Sequence, residues 1–296
     1  MIYKKSPAKI NLFLQVTNSR ADGYHDLKSL MVLIDIFDEI TVEKSDSFSL
    51  EISGEFANLV NIKHNLFITV LNYFQQHFAV SNNLRLKLIK NIPVGAGLGG
   101  GSSNACQFII IVNEIFNLNL SKVQLQKISF NFGCDIAFFF ENSPQIISGK
   151  GDEIIEYPQK ISKFFGIIIY PQINLSTQEV FNKFDHDKKI NNRNSNYSIF
   201  SNNSAIDFSI DQISNFSIDK ILELPNDLEN TALIIAPIIS EIKNNLYLNG
   251  AKISKMSGSG SSVFAIFDDQ KSLQIALTNL LKIYPNFFVK SFSMLS

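Results

Sequence analysis

The chain has 296 residues, 45% of them hydrophobic and 18% charged, with a formal net charge of −1. That balance excludes a disordered chain and supplies no basic surface for nucleic acid or an anionic membrane. Two cysteines, Cys106 and Cys134, are too few for a disulfide framework or a zinc site and fit a reduced, cytoplasmic protein.

The length suits two domains or one large one. The N-terminal residues carry lysines with no apolar run behind them, so no secretory signal is expected. The longest apolar runs, 164–170 and 233–239, are too short to cross a bilayer. Ile10, Leu12 and Leu14 alternate with Asn11, Phe13 and Gln15, the period of a strand, with Lys9 at its head. A lysine there is ordinarily solvated, and position alone assigns it nothing more. Arg20 to Asp26 reads as a turn with Asp22-Gly23 at its tip, leading into an apolar segment from Leu27 to Ile40. Tyr24 and His25 have the chemistry to stack on and hydrogen-bond a ring. For a lone Tyr-His pair, a turn whose aromatic packs on the core is the better reading. Strands and loops are expected over 41–63, a helix from His64 to about Phe78, and a half-buried strand where Leu84, Leu86 and Leu88 alternate with Arg85, Lys87 and Ile89.

Residues 93–104, Pro-Val-Gly-Ala-Gly-Leu-Gly-Gly-Gly-Ser-Ser-Asn, hold five of the chain's 14 glycines. Behind them Ala105, Phe108, Ile109, Val112, Ile115 and Phe116 make the stripe of an amphipathic helix, which Ser102, Ser103 or Asn104 can cap. The order is therefore strand, glycine loop, helix N-terminus. Free N–H groups and the helix dipole favour an anion there, and glycines let it approach the backbone. A bare strand-to-helix turn needs only one or two glycines, so phosphate binding is the better reading. No Gly-Lys-Ser/Thr follows, which excludes a Walker A loop. Gly95, Gly97 and Gly100 spell a formal dinucleotide fingerprint, but Glu114 lies inside the helix instead of at the end of a following strand.

Ser121 and Gln124 form a capping box for a short helix ending near Gly133. Asp135 follows, just before an apolar run, where a carboxylate must be solvated, paired or functional. A turn-forming aspartate is the plainer alternative. Ser148 to Asp152 marks the expected boundary between domains 1–150 and 151–296. A buried strand at 164–170, a capped helix from Ser176 and an Asn/Ser-rich, loop-rich insertion over about 185–225 come next, with plain helices in a biased composition as the alternative for that insertion. Residues 226–243 read as helical around Pro237. Residues 251–267 read as two strands around a second glycine/serine loop, and its five serines are more than a hairpin requires, which suggests a second phosphate-facing loop. A helix at 270–283 and a strand at 287–292 finish the chain.

Three separated stretches form a set. Pro93 to Ser103 resembles the central phosphate-binding motif of the GHMP kinases, Ser6 to Leu14 their N-terminal motif, and Met256 to Ala265 their C-terminal glycine-rich motif. Pro7-Ala-Lys-Ile-Asn-Leu12, Asp22-Gly-Tyr-His25, Gly97 to Ala105 and Gly133-Cys-Asp135 are most similar to the branch with a cytidyl substrate. The resemblance covers the whole chain and is weakest over 185–225. It implies an α+β, two-domain fold with an N-terminal ribosomal-protein-like βαβ domain, a C-terminal ferredoxin-like domain and a cleft between them. It implies ATP-dependent phosphorylation of the C2 hydroxyl of a cytidyl-linked methylerythritol, on the non-mevalonate route to isoprenoid precursors. Lys9 and Asp135 would be the catalytic pair. Pro93, Val94, Gly95, Ala96, Gly97, Leu98, Gly99, Gly100, Gly101, Ser102 and Ser103 would hold the ATP phosphates, with Mg²⁺ whose ligands are not legible. Asn11, Tyr24, His25 and Phe181 would meet the cytidyl side, and Asn65 would lie toward adenine. The partner implied is a small molecule, with neither nucleic acid nor membrane, and the protein a monomer or weak homodimer. Ala137, where the family often has proline, and the bulky Phe138 to Phe140 are departures. A homoserine or phosphomevalonate type of GHMP kinase would share the loop without a reason for Gly-Tyr-His. A non-catalytic nucleotide-binding module would share it without a reason for Lys9 and Asp135.

Overall fold

The computed structural model describes residues 1–62, 65–193 and 207–295, without the side chains of 189–193. β1 (Ile2–Ser19) and β2 (His25–Lys44) form a long antiparallel hairpin around the expected turn. β1 is buried continuously from Ser6 to Val16, because both of its faces are covered. Register slips between Pro7 and Ala8 and between Asn11 and Phe13 turn side chains out of strict alternation. β2 is long enough to hold two more partners, β4 (Leu84–Ile89) along its second half and β5 (Gln145–Ser148) along its first. β3 (Ser49–Ser53) adds parallel to β4, and β6 (Glu153–Glu156) adds antiparallel to β5.

The crossover from β3 to β4 is α1 (Leu66–Phe78), a parallel βαβ unit. Asn65 caps α1, its Oδ1 accepting from Phe67 N at 2.9 Å. α2 (Gly100–Ile115) and α3 (Lys122–Ser129) join α1 over one face of this sheet. Phe67, Phe74 and Phe108 fill the core beneath them with Leu84, Leu86 and Val112, all at most 1% exposed. The helical stripe read from Ala105 onward is this buried face.

The second sheet runs β10-β7-β9-β8, with β7 (Phe165–Tyr170), β8 (Ile253–Met256), β9 (Val263–Ile266) and β10 (Phe288–Ser293). Helices α4 (Thr177–Arg193), α5 (Ile210–Asn215), α6 (Ile218–Glu223), α7 (Glu229–Ile235) and α8 (Ile238–Leu248) lie between β7 and β8, and α9 (Gln270–Ile283) lies between β9 and β10. That is the β-α-β-β-α-β order of a ferredoxin-like unit. Ala8, Ile10 and Leu12 of β1 share one core cluster with Ile168, Tyr170, Phe264 and Phe288 of the second sheet. Each such buried side chain contributes roughly 1.5–3 kcal/mol, so the two units are joined by apolar packing.

Several expectations change. β6, just past the expected division at 150, belongs to the first sheet. The insertion expected as loop-rich over 185–225 is mostly helical where described, in α4, α5 and α6, as its alternative reading had it. Polar composition hid serine-capped turns at Ser209 and Ser217. Residues 194–206 of it lie outside the described residues. The helix read over 226–243 is two helices meeting at Pro237. Residues 134–140 form a 3-10 helix. No serine caps α2: Gly99 stands at its N-cap with φ +68°, and the serines lie in the first turn.

Candidate active site

Lys9 is 5% exposed, not a solvated strand-end lysine. Its backbone N–H donates to Leu98 O at 3.0 Å, which fastens β1 to the glycine loop. Its Nζ donates to Asn11 Oδ1. Asn11 Nδ2 donates in turn to Ser29 Oγ at 2.8 Å, and Ser29 Oγ to Phe13 O at 2.6 Å. The ammonium is thus aimed by a chain of fixed groups. Burial lowers its pKa, and the Asp135 carboxylate opposes that fall. Asp135 itself is exposed, in the first turn of the 3-10 helix at 134–140.

Two glycines of the loop are there for close approach. A Cβ on Gly97, at φ +77°, would stand 2.1 Å from Ser257 O of the second glycine loop. A Cβ on Gly99 would stand 2.8 Å from Phe139 Cζ and 3.0 Å from Lys9 Cγ. Of the bulky phenylalanines after Asp135, Phe139 therefore fills the space that Gly99 leaves. A Cβ on Gly101 would meet nothing within 4 Å, so that side of the start of α2 faces open space, while a Cβ on Gly100 would stand 2.8 Å from Ile92 Cγ2. Its first N–H groups have no intrahelical acceptor, as at any helix start.

The first loop is held from behind. Asp38, fully buried, accepts from Asn91 N at 2.7 Å and Ile92 N at 2.8 Å through Oδ1. Its Oδ2 accepts from Lys90 Nζ at 2.5 Å and Asn104 Nδ2 at 2.9 Å. Ser6 Oγ donates to Ser103 Oγ at 2.7 Å and accepts from Asn104 Nδ2 at 2.9 Å. Ser103 thus faces inward, while Ser102 is half-buried. Sequence reasoning missed Asp38, Ser6 and Lys90; a buried aspartate between apolar β2 residues was the available signal.

The second loop reaches the same place. A Cβ on Gly258 would be 3.2 Å from Lys9 Nζ. Asn226 holds this loop through Nδ2, which donates to Met256 O at 3.0 Å and Gly258 O at 2.8 Å. Nothing local in the sequence marked Asn226. The expectation that the loop's serines face phosphate is corrected for Ser257, Ser261 and Ser262, all fully buried. Ser257 Oγ donates to Gly97 O at 2.9 Å and Ser261 Oγ to Ile173 O.

An aromatic cluster stands at the start of β2. His25, 8% exposed, stacks on Phe181 with ring centroids 4.7 Å apart, and its Nε2 is 2.8 Å from Asp185 Oδ1. Tyr24 is 58% exposed, with Lys150 Nζ 5.8 Å from its ring centroid. Phe181 therefore lies face to face with His25 rather than with Tyr24. Asn65 is engaged in capping α1. Among the described residues no group of three His, Cys, Asp or Glu is arranged to hold a metal, and no helix is long and apolar enough to cross a membrane.

Residues 65–142 match the family described as GHMP kinases N terminal domain, and residues 213–286 match GHMP kinases C terminal. The chain is 31% identical over 286 residues to a 4-diphosphocytidyl-2-C-methyl-D-erythritol kinase of Clostridium beijerinckii, covering 96% of this chain and 98% of that one. It is 34% identical over 284 residues to the enzyme of the same name from Thermoanaerobacter pseudethanolicus, covering 95% and 92%. A crystal structure of 4-(cytidine 5'-diphospho)-2C-methyl-D-erythritol kinase superposes over the full length of both chains with a TM-score of 0.77 at 23% identity. A mevalonate kinase of L. major in complex with R-mevalonate superposes with a TM-score of 0.69 at 14% identity, over 100% of this chain and 96% of that one.

Proposed function

The chain belongs to the GHMP kinase family, beside the 4-diphosphocytidyl-2-C-methyl-D-erythritol kinases, and from that premise we propose that it phosphorylates the C2 hydroxyl of 4-diphosphocytidyl-2-C-methyl-D-erythritol with ATP. One observation carries the reading: Lys9 lies against both glycine loops and within the field of Asp135. Asp135 accepts a hydrogen bond from the C2 hydroxyl and takes its proton as that oxygen bonds to the γ-phosphorus. The bond from the γ-phosphorus to the bridging oxygen breaks, and its electron pair leaves with ADP. Such transfers pass a loose transition state, so the carboxylate mainly orients the nucleophile and receives a late proton. The Lys9 ammonium offsets charge on the transferring group.

The open start of α2 and the loop amides fit the ATP phosphates. The residues present fit only a Mg²⁺ carried by those phosphates, since the described carboxylates form no ligand set of their own. Bound there, it would supply neutralising charge on the phosphate oxygens. Asn11, Tyr24, His25 and Phe181 take the cytidyl side, with His25 Nε2 held by Asp185. The free cysteines are in keeping with the cytoplasm, and a monomer or weak homodimer is the assembly we propose.

The test is ADP release from Mg-ATP with 4-diphosphocytidyl-2-C-methyl-D-erythritol, with homoserine and mevalonate phosphate as controls. Turnover with the cytidyl substrate alone is expected. Turnover with a control, or none with the cytidyl substrate, would withdraw the pocket assignment.

A further inference from the structure

We propose that Lys150 binds the diphosphate linking the two ends of the substrate, and so sets the distance between its base and its reacting hydroxyl. The inference rests on the cytidyl reading above. Lys150 stands at the tip of the turn joining β5 to β6. That turn is tied to the segment after His25, because Leu27 N donates to Gly149 O at 2.7 Å. The Lys150 backbone N–H donates to Asp152 Oδ1 at 3.1 Å, which fixes the turn itself. On one side Lys150 Nζ lies 5.8 Å from the centroid of Tyr24. On the other, Gly151 lies against the catalytic helix: a Cβ there would be 3.6 Å from Asp135 Oδ1 and 3.2 Å from Cys134 Cβ. The turn therefore spans from the proposed base-stacking residue to the proposed base catalyst.

A substrate with cytosine at Tyr24 and its polyol hydroxyl at Asp135 carries its diphosphate across that span. Asp135 and Asp152 stand at this turn, and Asp22 beside Tyr24 is already paired with Arg20, so an incoming dianion needs a further cation to be accepted there. The field of Lys150 reaches both ends. The Tyr24 N–H lowers the Asp22 carboxyl and Lys150 lowers it further, while burial raises the Cys134 thiol and Lys150 opposes that rise. Lysine suits this task, as a point charge on a flexible stem.

The alternative is a solvated lysine resting on Tyr24 by cation–π attraction alone. The two differ in a ratio of affinities. Calorimetric titration with cytidine and with cytidine 5'-diphosphate, each at a saturating non-hydrolysable ATP analogue, reads that ratio. Unmodified protein is expected to bind the diphosphate about tenfold more tightly than cytidine, the size of one hydrogen bond to a charged group. Lys150→Met is expected to bind cytidine as before and the diphosphate no better than cytidine, and Lys150→Arg to keep the preference. A preference unchanged in Lys150→Met would overturn the proposal. So would equal weakening of both compounds, which would mean that Lys150 only holds Tyr24 in place. Binding of neither compound to the unmodified protein would overturn the cytidyl pocket itself, and the role of Lys150 with it.

Discussion

Asp135 and Lys9 reach one site by opposite means. Asp135 is exposed at the start of its 3-10 turn, so solvent screens its charge, including the field it exerts on Lys9. Lys9 is buried and held by Asn11, Leu98 and the approach of Gly258. Asp135→Asn should therefore leave the unfolding free energy within about 0.5 kcal/mol, as for ordinary surface changes. It should lower kcat by about 10²–10⁴, the usual range for general-base catalysis, with little change in KM for ATP. Steady-state kinetics beside a denaturant melt would separate the two, and a near-normal kcat would remove Asp135 from the chemistry. Neither residue announces itself locally. Lys9 read alone is a strand-end lysine and Asp135 a turn former, because what defines them is contact with distant stretches. The stack of His25 on Phe181, closed by Asp185, is hidden for the same reason.

The glycine loop was legible because its function needs a local composition, with a strand before it and a helix after it. What holds it was not legible, because Asp38 lies far from it along β2. Asp38 satisfies two amides at the loop's entry and binds Lys90 and Asn104, the latter near the start of α2. Removing one partner of a buried pair leaves the other charge uncompensated, at a cost of about 3–5 kcal/mol. Asp38→Ala should lose stability of that order in urea unfolding, and any folded remainder should bind ATP more weakly because the loop's entry is no longer fixed. A loss below about 1 kcal/mol would show that the loop is held some other way. The elements read wrongly share a cause. Residues 209–223 have too little apolar periodicity to declare helices, yet Ser209 and Ser217 cap two short ones that pack Ile213 and Ile221 into the core between the sheets. Tertiary burial, more than local pattern, decides such short helices.

The two halves of the chain meet across a shared apolar core, and one charged residue sits at that seam. Lys255 of β8 donates to Leu12 O of β1 at 3.0 Å and to Leu224 O at 2.6 Å, and is 9% exposed. Burial lowers its pKa from 10.5 to about 8, with Glu229 opposing the fall and Lys243 adding to it. The unfolded chain keeps that proton up to its ordinary value, whereas the folded chain releases it near 8. Between those values unfolding takes up a proton, so stability attributable to Lys255 rises with pH, is complete above 10.5, and is lost as pH falls through about 8. The interval corresponds to roughly 3 kcal/mol. Lys255→Met removes this titration along with two hydrogen bonds, and the loss of the bonds is nearly independent of pH. The tyrosines that titrate at alkaline pH are common to both proteins and cancel in the comparison. The unfolding free energy of the unmodified protein, minus that of Lys255→Met, should therefore grow by up to roughly 3 kcal/mol from pH 7 to 10.5. A difference that stays flat across that range would mean that Lys255 is not held at a depressed pKa. The seam would then carry no pH dependence of its own.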